Sequence, residues 1–160
     1  MAIYKIFPSK DNFINSKYPT SNYGRDEVLD IASDTDSISR AIIQFPQSEL
    51  TTLINSISGA YSASLKMYLA NASNIPFDYN IEIYPLSRSW DMGTGRSGDE
   101  PNPKNGSCWN TYNSDTSSLW SGGSYLNNVI SQSFSYQDNK DINCNITPFI
   151  DSWISGTYSN

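Results

Sequence analysis

The apolar residues of this chain fall mostly at every second position. The longest run is Ala60 to Ala70, where Tyr61, Ala63, Leu65, Met67 and Leu69 alternate with Ser62, Ser64, Lys66 and Tyr68. Successive side chains of a strand point to opposite faces, so this alternation predicts a half-buried strand. Asn80–Tyr84 alternates likewise, and Asp141–Ile146 sets Ile142, Cys144 and Ile146 on one face. Ile3–Phe7, Asn12–Asn15, Glu27–Ala32, Arg40–Phe45 and Val129–Tyr136 are shorter candidates and bring the count to eight strands. Short strands with turn residues between them predict an all-β fold, a jelly-roll-like antiparallel β-sandwich, rather than a parallel α/β sheet.

The period changes near the C-terminus. Thr147 suits a helix cap, Pro148 the first helical position and Gly156 the end, so one short helix is expected over Thr147–Ser155. Phe149, Ile150, Trp153 and Ile154 then share a face that would plug one end of the sandwich. No internal repeat or linker divides the chain, which reads as a single domain over residues 1–160.

Asp91–Ser124 keeps to neither period. It holds six Gly, Pro101 and Pro103, and a loop of this length in a compact domain is usually functional or ordered by a partner. Its aromatic residues and the one just after it, Trp109, Tyr112, Trp120 and Tyr125, are the candidate ligand or partner contacts. They either form a flat platform on which a sugar ring stacks, or fold inward to anchor a loop short of apolar contacts.

Composition narrows the function. With 38% hydrophobic and 16% charged residues the chain is too apolar and too weakly charged to be disordered. A net charge of −6 with basic residues scattered singly argues against nucleic acid and against an anionic lipid surface. No apolar run approaches the ~20 residues of a membrane span, and Met1–Pro8 does not read as a signal peptide. The chain has no His, which removes Ser-His-Asp and Cys-His catalysis and the usual general base. A carboxylate pair for glycoside hydrolysis is the remaining catalytic route, but acidic residues in loops are ordinarily just solvated, so no enzyme is expected.

No cofactor is expected either. Gly93–Gly98 lacks the strand-to-helix context of a phosphate loop. Asp34-Thr-Asp36 is read as loop punctuation, with a structural calcium ion as the alternative, because the Gly and bidentate Glu of an EF-hand loop are missing. Cys108 and Cys144 lack CxxC spacing and are read as free thiols, with a disulfide as the alternative.

Several segments in order resemble a known family. Phe7–Ile14, Asn22-Tyr-Gly24, Leu29-Asp-Ile31 and Arg40–Phe45 are similar to the opening of the DNRLRE or disaggregatase-related sandwich modules, with Pro46 where their Asp stands. Tyr61–Ala70, Arg88-Ser-Trp90, Cys108-Trp109-Asn110, Trp120–Gly123, Asp141–Thr147 and Trp153–Gly156 with Asn160 resemble later elements. Ser89–Gly98 looks like structural proteins of tailed bacteriophages of the marine myovirus kind. The resemblance implies a non-catalytic virion structural protein of the tail, neck or fibre region, assembled in the host cytoplasm in many copies with other virion proteins, and in contact with a host-surface glycan in one version. The alternative it implies is a carbohydrate-binding module that uses the loop aromatics. Such modules end on a further strand, so the resemblance also implies a fragment, or a partner that supplies that strand after Asn160.

Overall fold

The structure is a computed structural model that describes residues 2–72, 77–136, 138 and 140–158. The chain divides into two compact units, each built from two separate stretches of sequence: Met1–Ser56 with Ser89–Ser124, and Ile57–Arg88 with Tyr125–Asn160.

The first unit holds β1 (Lys10–Asn15), β2 (Ala32–Ser33), β3 (Ile38–Gln44) and α1 (Gln47–Ser56). The strands form one antiparallel sheet in the order β1-β3-β2, with Lys10 opposite Gln44 and Asn15 opposite Ser39. Alternate residues of a strand face opposite ways, yet Asn12, Phe13 and Ile14 are all buried, so both faces of β1 are covered. On one, Phe13 stacks on Tyr23 with ring centroids 4.3 Å apart. On the other, Asn12 reaches Ser107 of the long loop. In α1, Leu50, Leu53 and Ile54 recur at helical spacing and Glu49 complements the first turn, but no residue of the helix is fully buried.

The second unit holds β4 (Ser64–Met67), β5 (Tyr79–Ile83), β6 (Ile130–Phe134), β7 (Ile142–Asn145) and α2 (Thr147–Ile154). β4 pairs with β7 and β5 with β6, both antiparallel. Ile142 and Cys144 are buried and Asn143 and Asn145 exposed, as the alternation requires, and Ile146 continues the buried row. Phe149 and Ile150 of α2 join them. Phe149, Trp153 and Tyr158 meet edge to face at 5.8–6.5 Å. Thr147 does not cap α2: its hydroxyl accepts the Ala63 N–H at 2.9 Å, tying the helix start to the segment before β4.

Among the described residues three small open sheets with two helices make a mixed α/β arrangement, and the expected jelly-roll-like β-sandwich is not formed. Ile3–Phe7 is not a strand, and Ile3 and Phe7 stay 77% and 75% exposed. Of Glu27–Ala32 only Ala32 pairs, in a two-residue strand. With at most three strands per sheet there are no two broad apolar faces to press together, which is what a sandwich core consists of.

Candidate functional site

The irregular stretch Ser89–Ser124 is folded onto β1 by buried amides. Asn12 Nδ2 donates to the Ser107 carbonyl at 3.0 Å and to its hydroxyl at 2.8 Å, while Asn12 Oδ1 accepts the Tyr23 N–H. Asn22 Nδ2 donates to the carbonyls of Met92 (2.7 Å) and Ser107 (2.8 Å), and its Oδ1 accepts the N–H groups of Gly95 and Gly24. Both side chains are fully buried, so each bond replaces one that water would otherwise make. The backbone approaches too closely for any side chain: a Cβ on Gly95 would lie 2.2 Å from the Asn22 carbonyl oxygen, and one on Gly106 2.5 Å from Gly93 Cα. Trp90, also buried, lies under the Lys10 ammonium at 4.7 Å. Burial lowers the Lys10 pKa, and Asp91 opposes the shift.

The candidate aromatics take different positions. Trp120 is buried, donates Nε1–H to the Cys108 carbonyl at 2.7 Å and meets Tyr112 edge to face at 6.3 Å. Trp109 is half-buried, with the Arg40 guanidinium 5.1 Å from its ring centre and Gly122 against its six-membered ring. Arg40 also donates to the Gly122 carbonyl at 2.6 Å. Gly122 has φ of +89° and room for no Cβ, which would fall 2.7 Å from Trp109 Cζ2. Trp109, Tyr112 and Trp120 thus belong together in the first unit. Tyr125 belongs to the second, where it is 45% exposed and packs against Tyr84 at 4.9 Å.

Beside the three grouped aromatics the loop makes a small cleft of about 240 Å³, lined among others by Thr20, Lys104, Asn110, Ser114, Thr116 and Leu119. One wall is a lobe closed by an antiparallel bridge between Thr111 and Leu119. Inside the lobe Asp115 accepts the N–H and hydroxyl of Ser117, at 2.9 and 2.8 Å, which lowers its pKa. Among the described residues no protein hydrogen bond engages the side chains of Lys104, Asn110, Ser114 or Thr116. All four lie in the Asp91–Ser124 segment singled out from the sequence, but there only its aromatics stood out, because Asn, Ser and Thr in a loop read as turn formers.

The remaining sequence candidates are local. Asp34 accepts the N–H groups of Asp36 and Ser37, at 2.8 and 2.7 Å, and these bonds lower its pKa. Cys108 and Cys144 are buried free thiols, and burial raises the Cys144 pKa. Among the described residues no group of three or more His, Cys, Asp or Glu is placed to hold a metal ion.

The model of carbohydrate-binding module family 96 matches residues 2–122, most of the chain. The chain belongs to carbohydrate-binding module family 96. No curated protein and no solved structure matches it. The match overturns the reading as a DNRLRE module of a phage virion. With that reading go the tail, neck or fibre role, the multi-copy virion partners and the virion location. The buried Asn12 and Asn22 and the loop they hold all fall inside the matched span. As a member of family 96 the chain is a non-catalytic module. The family 96 span contains the whole cleft, together with Trp109, Tyr112 and Trp120, and ends before Tyr125.

Proposed function

We propose that the module binds carbohydrate, and that the cleft between Thr20 and the 104–119 segment is the binding site. The observation that carries this is the set of polar side chains gathered there that make no protein hydrogen bond among the described residues. Lys104 offers donors, Ser114 and Thr116 offer hydroxyls, and the Asn110 amide offers both donor and acceptor. A sugar presents the complementary array, alternating hydroxyl donors and acceptors around a ring with an apolar C–H face. Leu119, 63% exposed at the cleft, is the surface on which such a face rests.

Calorimetric titration with a panel of polysaccharides tests the reading. A hydrogen bond contributes about 1 kcal/mol net, so Asn110→Ala is expected to weaken binding about fivefold, and Lys104→Ala with Asn110→Ala more, at unchanged unfolding temperature. Absence of binding to every glycan, or binding by the double variant equal to the parent, overturns it.

One observation favours a second reading: the Tyr84–Tyr125 pair of the second unit is partly open to solvent and could receive a stacked sugar ring there. Loss of binding in Tyr125→Ala, with the cleft variants unaffected, is the result that would select it.

A further inference from the structure

We infer that the cleft takes the terminal sugar of a glycan chain rather than a stretch of its interior, an inference that rests on the carbohydrate reading above. At about 240 Å³ the cleft falls below the roughly 300–1,000 Å³ of pockets that enclose drug-sized ligands. One sugar ring fits such a space, and a run of them does not. An interior stretch would need a groove open at both ends, with further rings supported on either side, and the usual support is a line of exposed aromatic faces.

The aromatics of the loop that carries the cleft do not supply that support. Trp120 is buried with its Nε1–H bonded to the Cys108 carbonyl, Tyr112 is turned edge-on to it, and Trp109 lies against Arg40 and Gly122. The Thr111–Leu119 bridge closes the lobe, and the Asp115 to Ser117 bonds fix its tip. Lys104, Asn110, Ser114 and Thr116 all line this one cleft. Several hydroxyls of a single ring would meet several groups at once, which an interior residue, with two of its positions substituted by neighbours, satisfies less well.

Chain ends and chain interior are separated by stoichiometry. Unbranched β-1,3-glucan, β-1,4-xylan, β-1,4-mannan and alginate, each intact and after limited hydrolysis to shorter chains at the same sugar mass, would be titrated with the parent module and with the Lys104→Ala, Asn110→Ala double variant. The expected result for the glycan that binds is one module per chain at every chain length, so halving the mean length raises the number of sites about twofold by mass action. A number of bound modules that grows with chain length overturns the terminal assignment while leaving carbohydrate binding at the cleft intact. No binding to any preparation, or equal binding by the double variant, removes the carbohydrate reading and this inference with it.

Discussion

Asn22 directs both ends of its amide at the backbone of the loop that carries the cleft: two carbonyls accept from it and two N–H groups donate to it. Removing the amide leaves the Met92 carbonyl and the Gly95 and Gly24 N–H groups without this partner, each a loss of roughly 1–3 kcal/mol where water does not reach, while the Ser107 carbonyl keeps its bond from Asn12. Asn22→Ala is therefore expected to lower the unfolding free energy by about 3 kcal/mol or more, read by denaturant titration. Tyr61 gives a pH signature in the second unit. Desolvation, with the hydrogen bond and the charge of Asp151, pushes its phenol up to about 12. An unfolded tyrosine ionises near ~10, so the folded chain keeps the proton longer. The stability this supplies is whole below pH ~10 and is lost as the pH climbs to about 12. Tyr61→Phe is expected to flatten part of the fall in unfolding free energy measured across that window. Neither role shows in the sequence. Periodicity assigns polar residues to the surface, and it is their placement against a distant loop that makes Asn12 and Asn22 interior.

At the scale of elements, burial separates the two helices. Phe149 of α2 is buried in the second unit, so Phe149→Ala is expected to cost about 3–5 kcal/mol, whereas Leu53→Ala in α1, where no side chain is fully buried, is expected to cost no more than about 1.5 kcal/mol. Thermal and denaturant melts of the pair check the contrast. The strands with one solvent face were legible: β4, β5, β6 and β7 all show the alternation read from Tyr61–Ala70, Asn80–Tyr84, Val129–Tyr136 and Asp141–Ile146. α2 was legible from Pro148 and its apolar face. α1 was missed, since three apolar residues in a polar segment are a faint helical signal. Ile3–Phe7 misled in the opposite sense, because alternation shows that a segment is able to pair and not that a partner stands beside it.

For the molecule as a whole, that same gap between having a strand and knowing its neighbour explains the false sandwich. β4 finds its partner in β7 and β5 in β6, across long separations in sequence, and no local pattern encodes such matches. The cleft was hidden for a related reason: Thr20 and Lys104 line it together although far apart in the chain. The absence of His, in contrast, removed the common catalytic routes before any fold was known. The interleaving of the two units has a practical edge. The family match stops at residue 122, but β4 and β5, which lie within it, take their strand partners among the described residues from residues 130–145. Protein produced as residues 1–124 is expected to carry two orphaned strands with open edges and to elute as aggregate in size exclusion, where the full chain does not. A minimal version of the first unit would have to lose an internal segment, Ile57–Arg88, as well as residues 125–160: the cut that matters for engineering this module falls inside the stretch that the family match spans, not at the edge of that match.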